Sequence, residues 1–330
     1  MSSTYLYYPG CSMEATAVAY QVSLMEVCRT LELDLQEIDD WNCCGATEYV
    51  GVSLTPAYAL IGRNLALAAK QANGTKTVVA PCSACYLNLA KADYYMRERP
   101  VLGVKVNAAL AAGDLHYDPG SLTIRHLLDV IVNDVGLDRV KSKVVRPLKG
   151  LRVAPYLGCM VPRPDYERRW SDHERPDELD RLLHALGAEV IEFPLKTHCC
   201  GGHMTQIGPE TAYEFIRRLL MSADHHNADV MATLCPMCQM NLDAYQGETN
   251  RHFGTSYRLP ILFFTQLMGV AFGIDAKKLG FGREIVSAQE AMGRIGVETP
   301  PPETPERRTP PSKDKSLPMP RMAGDEEEVA

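Results

Sequence analysis

Ten of the eleven cysteines in this chain fall into two copies of one pattern, which constrains what the chain can fold into and bind. Each copy has a lone cysteine, then an adjacent pair followed by glycine, then a C-x-x-C motif. The spacings are C-x31-CC-x37-C-x2-C and C-x39-CC-x34-C-x2-C, so each copy presents five thiols. The remaining cysteine, Cys28, lies within a helical stretch and is typical of a small buried apolar side chain. The first set is Cys11, Cys43, Cys44, Cys82 and Cys85, and the second set is Cys159, Cys199, Cys200, Cys235 and Cys238.

The duplication extends beyond the cysteines. YYPGC at 7–11 is echoed by PYLGC at 155–159, NCCGA at 42–46 by HCCGG at 198–202, and CSACYLNL at 82–89 by CPMCQMNL at 235–242. Repetition of this kind indicates a repeated structural unit. The sequence therefore predicts two homologous cysteine-bearing domains, residues 1–149 and 150–296. It also predicts a disordered tail at 297–330, which is rich in proline and ends in an acidic run.

Segments with strand-like and helix-like spacing alternate in each half. One strand ends at the lone cysteine, a second leads into the Cys-Cys-Gly turn, and a third ends at the C-x-x-C motif, with helices between them. This βαβαβ order predicts an α/β fold of two tandem Rossmann-like halves with parallel sheets. The apolar segments that close the halves, residues 121–138 and 261–275, are interpreted as packing helices. Each cysteine motif then follows the carboxyl end of a strand, where open parallel sheets gather their sites.

Length, charge and hydropathy exclude several classes of protein. With 330 residues, each half can bury a core without help from metals or disulfides. The net charge of −7 offers no basic footprint for nucleic acid. The sequence opens with no signal-peptide pattern, and no uncharged apolar run reaches the roughly 18 residues of a membrane span. We therefore expect a cytoplasmic protein, alone or within a membrane-associated complex, whose thiols stay reduced and bind metal or do redox chemistry.

Three kinds of chemistry use clustered thiols. Structural zinc takes four ligands in a closed site and would leave one thiol idle in each half. Thiols of adjacent residues also project too far apart in direction to chelate one small ion, although they can reach two metal atoms of one cluster. A cubane [4Fe–4S] cluster takes four cysteines as well, so a fifth implies a free thiol beside the cluster or a thiolate that bridges two irons. The spacing favours iron–sulfur binding and leaves zinc and dithiol redox chemistry open.

The doubled pattern, with YYPGC at its start, CCG in its middle and CPMCQMNLD near its end, resembles the B-type subunit of heterodisulfide reductase, in the CCG-domain family. The resemblance covers residues 4 to about 275 and includes all ten expected cysteines. It implies that each set of five cysteines holds one noncubane [4Fe–4S] cluster. It also implies that the two clusters face each other with a disulfide substrate between them, and that the partners are a ferredoxin-like protein and a flavoprotein of the same complex.

The implied activity is cleavage, or reversible formation, of a disulfide between two thiol cofactors. Cleavage takes two electrons, whereas an iron–sulfur cluster normally delivers one, so two facing clusters can divide the reaction. No nucleotide or flavin fingerprint is present, so electrons have to come from a partner. The alternative function is a non-catalytic electron-transfer or scaffold subunit of a larger reductase or of a sulfur-oxidising complex.

The product thiolates need proton donors. His198 and His203 flank the second Cys-Cys-Gly turn, whereas the first half has Asn42 and Thr47 at the corresponding places. We predict the two histidines as the donors, because histidine titrates near neutral pH. The alternative is that they hydrogen-bond the cluster or the loop and tune its potential. Asn88 and Asn241, three residues after each C-x-x-C motif, are expected to cap local backbone.

Overall fold

The computed structural model describes residues 4–46, 49–164, 166 and 170–297. The predicted disordered tail, residues 297–330, lies outside the described residues from residue 298 onward, as does Thr47. The described residues form one compact unit that contains both halves.

The first half alternates strands and helices along the chain. A 3₁₀ turn, Ala111–Gly113, extends its sixth helix, and a π-helical turn, Val130–Gly136, joins its last two helices. The elements are β1 (Thr4–Tyr7), α1 (Cys11–Glu14), α2 (Val18–Leu31), β2 (Asp34–Glu37), α3 (Tyr49–Val52), α4 (Leu54–Gln71), β3 (Thr77–Ala80), α5 (Ser83–Glu98), α6 (Pro100–Leu110), β4 (Thr123–His126), α7 (Leu127–Asp129) and α8 (Leu137–Lys143).

The second half repeats this alternation and ends in a 3₁₀ turn, Ala276–Leu279, and a short helix. The elements are β5 (Arg152–Tyr156), α9 (Glu178–Ala185), β6 (Glu189–Val190), α10 (Met204–Ile207), α11 (Pro209–His225), β7 (Val230–Thr233), α12 (Pro236–Ala244), α13 (Gln246–Phe253), β8 (Ile261–Phe263), α14 (Phe264–Ala271) and α15 (Gln289–Gly293).

Each half is built on a four-stranded parallel sheet. The strand orders are β2-β1-β3-β4 and β6-β5-β7-β8, so the two sheets have the same topology. Leu6 of β1 pairs with Val78 of β3, and Val153 of β5 pairs with Val230 of β7. All four of these side chains are buried, as expected for central strands with helices on both faces. The prediction of an α/β fold with two similar Rossmann-like halves is confirmed.

The interpretation of the closing segments as packing helices is wrong in part. Residues 121–138 begin with β4 and residues 261–275 begin with β8, and a helix follows each strand. Both strands pair along an edge of β3 or β7 and are almost entirely buried. With only three or four residues each, they are too short to show a period of two, so an apolar run could not be told from a buried helix.

The helices α4 and α11 show how the sequence produces the layer that covers the sheets. In α11, Pro209 occupies the first turn, where its missing N–H costs nothing. Ile216, Leu219, Leu220 and Ala223 are buried at helical spacing along one face. Similar spacing buries one face of α4. These faces pack each helix into the same apolar core as strand residues of its sheet.

The two halves pack directly against each other. Helix α2 of the first half lies on α14 of the second half, and residues from both halves share one apolar core. The Tyr20 ring stacks on Phe263, with centroids 4.3 Å apart and planes 10° apart. The predicted boundary between residues 149 and 150 falls in the connection between α8 and β5. Treatment of the two halves as separate domains stays a prediction.

Candidate iron–sulfur site

The cysteine motifs follow the carboxyl ends of the strands, as expected for sites in open parallel sheets. Cys11 begins α1, directly after β1 and a short turn. Cys82 and Cys235 follow β3 and β7 and occupy the N-cap positions of α5 and α12. The topology therefore brings motifs that are far apart in sequence to one edge of each sheet.

In the first set, the five thiols form a continuous row. The Sγ atoms of Cys11 and Cys43 lie 3.4 Å apart, and those of Cys44 and Cys85 also lie 3.4 Å apart. The Cys43 thiol interacts with Cys44, and the Cys85 thiol interacts with Cys82. The lone cysteine is at one end of the row, and the first cysteine of C-x-x-C is at the other.

The second set has the same order. Cys159 interacts with Cys199, Cys199 with Cys200, Cys200 with Cys238, and Cys238 with Cys235. Again the lone cysteine is at one end, the adjacent pair follows, and the first cysteine of C-x-x-C is at the other end.

The two rows meet where the halves meet. The Cys82 and Cys235 side chains are both buried, and the Tyr20 hydroxyl lies 3.0 and 3.5 Å from the carbonyl oxygens of the residues directly before them. The two rows therefore approach each other at Cys82 and Cys235. The far ends of the rows differ from this centre in exposure, because Cys11 and Cys199 are exposed and Cys159 is partly exposed.

Two asparagines hold the Cys-Cys-Gly turns. The side-chain amide of Asn88 on α5 donates to the carbonyls of Cys44 and Ala46, at 3.2 and 3.1 Å, and lies 3.8 Å from the Cys44 Sγ. In the second half, Asn241 on α12 donates to the carbonyl of Gly202 at 2.6 Å. The prediction that these side chains cap local backbone is wrong, since they reach a turn about forty residues away in sequence. They tie the helix after C-x-x-C to the adjacent cysteine pair.

Two buried tyrosines hold the residue before each cysteine pair. The Tyr8 hydroxyl donates to the carbonyl of Asn42 at 2.6 Å, and the Tyr156 hydroxyl donates to the carbonyl of His198 at 2.8 Å. Burial, followed by the nearby thiols, raises the pKa of both tyrosines, so each hydroxyl remains a donor. The same polar support therefore recurs in both halves.

Glycine is required where the chain passes each C-x-x-C motif. Gly10 has φ of +80°, and a Cβ there would lie 2.8 Å from the Cys85 Sγ. Gly158 has φ of +71°, and its Cβ would lie 3.2 Å from the Cys238 Sγ. Any other residue would be strained and would fill the space in front of a buried thiol.

Neighbouring thiols shift one another's pKa. The pKa values of Cys82, Cys85 and Cys238 are raised by hydrogen bonds with neighbouring thiols and by burial. Hydrogen bonds with neighbouring thiols lower the pKa values of Cys44 and Cys235. A metal binds thiolates, so metal binding would displace these protons.

The donor set fits iron–sulfur binding. All ten groups are thiols, and each half joins five of them in one row at a sheet edge. Thiolate is the ligand that iron–sulfur clusters take from proteins. In the described part of the chain, no three His, Cys, Asp or Glu side chains converge as ligands of one metal ion.

The structure puts the two predicted proton donors in different settings. His198 is exposed, and its carbonyl, rather than its ring, is bound within the cysteine loop, by Tyr156. His203 is partly buried at the N-cap position of α10. In the first half, Asn42 donates to the carbonyls of Cys43 and Leu60. A role in proton transfer stays a prediction for both histidines.

Sequence reasoning missed two residues beside the central thiols. The Tyr20 hydroxyl donates to the carbonyl of Pro81, directly before Cys82. The His126 ring is fully buried at the end of β4, beside β3, the strand that leads to Pro81 and Cys82. Neither residue belongs to a motif, and each is brought to the site only by tertiary packing, so no local signal could have indicated it.

Comparison with known proteins identifies the family. The family profile of the CCG cysteine-rich domain matches residues 5–90 and again residues 153–243. The chain belongs to the CCG cysteine-rich domain family. One matched segment lies in each half, and each contains one complete set of five cysteines.

The curated relatives of this chain carry the names of reductase subunits or of proteins like them. The chain is 32% identical over 290 residues to the 8-methylmenaquinol:fumarate reductase membrane anchor subunit of Wolinella succinogenes, and the match covers 87% of this chain and 99% of that protein. It is 28% identical over 291 residues to the B-type subunit of the ferredoxin:CoB-CoM heterodisulfide reductase of Methanosarcina mazei, with 87% and 92% covered. A protein of Archaeoglobus profundus that is described as like this heterodisulfide reductase subunit is 27% identical, with 88% and 97% covered. The chain is thus a cysteine-rich protein that is similar to B-type subunits of heterodisulfide reductase over most of its length.

The fold also recurs in a solved structure. A hypothetical protein from Helicobacter pylori superposes with a TM-score of 0.67 at 13% identity, over 86% of this chain and 52% of that one. This chain thus spans about half the length of that structure, and the likeness supports the fold alone. Within the described residues, no helix is long and apolar enough to cross a membrane.

Proposed function

We propose that the chain is the catalytic iron–sulfur subunit of a heterodisulfide reductase-like complex, in which it cleaves, or reversibly forms, a disulfide between two thiol cofactors. The observation that carries the proposal is that two complete sets of five thiols, one from each half, approach each other at Cys82 and Cys235, which are buried beside the Tyr20 hydroxyl. In this proposal the first set holds one [4Fe–4S] cluster and the second set holds the other. The fifth thiol of each set argues for a noncubane form.

The balanced reaction uses one disulfide, two electrons and two protons, and yields two thiols as the sulfur–sulfur bond breaks. When bound, the two clusters would supply one electron each, so that neither product sulfur is left as a radical. Asn88, Asn241, Tyr8 and Tyr156 would hold the cysteine loops rigid, because each bonds a loop carbonyl. The exposed ends of the row, near Cys11 and Cys199, give the site access to solvent.

The protons would come from the second half. His198 and His203 flank the adjacent pair Cys199 and Cys200, and the first half has no histidine at the matching positions. We propose that this asymmetry gives the two product thiolates different proton sources. A histidine donor would make thiol release fall as pH rises above its pKa, since only the protonated ring can donate.

The electrons would come from other proteins of the complex. A ferredoxin-like protein and a flavoprotein are the proposed partners, in keeping with the ferredoxin-linked complex named for the Methanosarcina mazei relative. We propose a cytoplasmic location, where the thiols would stay reduced. Association with a membrane complex is compatible with it.

A second candidate is a non-catalytic electron-transfer subunit of a larger reductase. The 32% identity to a membrane anchor subunit of a methylmenaquinol:fumarate reductase favours it. In that case the two clusters would pass single electrons to a neighbouring protein of the complex and would never bind a disulfide.

A thiol-release assay separates the two candidates. The full chain is reconstituted with iron and sulfide without oxygen, reduced, and mixed with candidate disulfides, and free thiol is measured. The catalytic proposal predicts two thiols for each disulfide consumed. Intact clusters and a competent electron donor with no thiol release from any disulfide would favour the electron-transfer candidate, whereas zinc without iron in the purified chain would exclude both.

A further inference from the structure

The Tyr20 hydroxyl lies between the two cysteine loops that meet at the centre of the molecule. The Tyr20 side chain is fully buried on α2. Its hydroxyl oxygen is 3.0 Å from the carbonyl oxygen of Pro81 and 3.5 Å from that of Leu234. These carbonyls belong to the residues directly before Cys82 and Cys235. One hydroxyl of the first half therefore reaches the backbone of both C-x-x-C loops, with the shorter bond to its own half.

The Tyr20 ring is held by the second half. It stacks on Phe263 at 4.3 Å and meets Phe264 edge-on at 6.0 Å. One turn further along α2, the Ser23 hydroxyl bonds the Thr265 hydroxyl at 2.7 Å. The hydroxyl of Tyr20 therefore cannot swing away from the loops without disturbing the contact between the halves.

His126 supports the same point from the other side. It ends β4, as Phe263 ends β8 in the second half. Its Nδ1 accepts from the Leu128 amide at 3.1 Å, and its Nε2 has no hydrogen-bond partner among the described residues. Within the described contacts, the hydroxyl of Tyr20 is therefore the side-chain donor with hydrogen-bonding geometry to both carbonyls.

The hydroxyl is a permanent donor. Burial raises the pKa of Tyr20 well above its usual value, so the proton stays on the oxygen at any working pH. A buried carbonyl that loses its donor is costly, so the loops would shift to find another partner. Such a shift would move the Cys82 and Cys235 side chains, because each follows one of these carbonyls directly in sequence.

We propose that Tyr20 is a positioning residue that ties the two C-x-x-C loops together and thereby sets the separation and relative orientation of the two metal centres. The inference rests on one part of the proposed function, namely that each set of cysteines holds a cluster. It concerns the coupling of the two centres. It therefore applies both to disulfide cleavage and to electron transfer alone.

Replacement of Tyr20 by phenylalanine tests this role. Tyr20→Phe keeps the stacked ring and removes only the hydroxyl. Tyr117→Phe is the matched control, since it removes an equally buried hydroxyl, bonded to Asp93 at 2.6 Å, away from both loops. Each full-length variant is reconstituted with iron and sulfide, its iron content is measured, and EPR spectra and midpoint potentials of the reduced protein are recorded.

We expect Tyr20→Phe to keep its iron and to change the spin–spin interaction between the centres together with at least one midpoint potential. Tyr117→Phe should match the wild type in both. Unchanged EPR spectra and potentials in an iron-replete Tyr20→Phe variant would overturn the inference.

If Tyr20→Phe does not bind iron, a measurement on metal-free protein tests the same role. Cluster-free protein is treated with diamide, which takes two electrons and two protons from a thiol pair, and the Cys82–Cys235 disulfide is measured by peptide mass. Tyr20→Phe loses a hydrogen bond that holds the loops together, so this disulfide should form with an initial rate about fivefold lower than in the wild type. Equal rates in wild type, Tyr20→Phe and Tyr117→Phe would contradict the role.

The two proposals fail separately. A wild-type chain with intact clusters that releases no thiol from any disulfide would remove the proposed catalysis, while the Tyr20→Phe comparison would still decide the coupling. Conversely, EPR spectra and midpoint potentials of Tyr20→Phe equal to those of the wild type would overturn the positioning role. They would not contradict the proposed release of thiol from a disulfide.

Discussion

Cys44 and Cys200 explain why each half carries an adjacent pair rather than one more single cysteine. Each is buried, whereas the preceding residue, Cys43 or Cys199, is exposed. In each pair, the exposed cysteine contacts the lone cysteine of its set. The buried cysteine contacts the second cysteine of the C-x-x-C motif. An adjacent pair therefore connects the exposed thiols of a set to its buried thiols.

Replacement of either linking cysteine by serine should disturb one cluster. We expect Cys44→Ser and Cys200→Ser each to lose iron or to change the EPR signature of one centre, because a hydroxyl is a poor substitute for a thiolate ligand. Cys28→Ala is the matched control, since Cys28 is buried in α2 outside the row. Iron content and spectra of Cys44→Ser equal to those of Cys28→Ala would contradict a ligand role.

His126 should make stability depend on pH. Burial lowers its pKa from 6.5 to about 4, so the folded chain keeps the ring neutral while the unfolded chain takes up a proton below pH 6.5. Stability is therefore fully present above pH 6.5 and is lost as pH falls toward 4. Between pH 7.5 and 5.5 this group should cost about 1.3 kcal/mol of unfolding free energy.

The variant His126→Asn isolates that contribution. Asparagine can still accept the bond that the Leu128 amide donates to the His126 ring, but it does not titrate. Urea unfolding of cluster-free protein at the two pH values should show a smaller loss in the variant than in the wild type. An equal loss in both would mean that other groups carry the pH dependence.

At the scale of elements, the contact between α2 and α14 joins the halves. Ser23 and Thr265 bond each other across it, at 2.7 Å, and both are fully buried. The sequence predicted strands and helices from local periodicity, but it carried no signal for a pair that lies more than 200 residues apart. The short strands β4 and β8 were missed for a local reason, since three or four buried residues show no period.

The Ser23 and Thr265 pair should show coupling in a double-mutant cycle. Ser23→Ala or Thr265→Val alone leaves one buried hydroxyl without this partner, and each should destabilise the chain by about 1–3 kcal/mol. The double variant should cost less than the sum, by about 1 kcal/mol, as is usual for groups in contact. Urea unfolding of the four cluster-free proteins measures this, and strict additivity would show that the bond adds nothing to the contact.

At the scale of the whole molecule, the duplication brings two similar cysteine sets together where the halves meet. The spacing of the cysteines predicted two sets and the sheet edges that carry them, because each motif follows a strand of the repeated unit. It could not predict that the sets approach each other at Cys82 and Cys235, since that approach depends on how the halves pack. Tyr20 and His126 were beyond prediction for the same reason. Because the two sets approach each other, the two similar sites could act together in one two-electron reaction.

The most direct test is a single-turnover experiment on the reduced, reconstituted chain, with wild type, Cys44→Ser and Cys200→Ser compared. Each chain receives two electrons before the reductant is removed, and the thiol formed from an added disulfide is counted. If both sets act together, wild type should release two thiols per chain, and each variant should lose thiol release. Full release by either variant, or none by a wild type with two intact clusters, would contradict a reaction divided between the two halves.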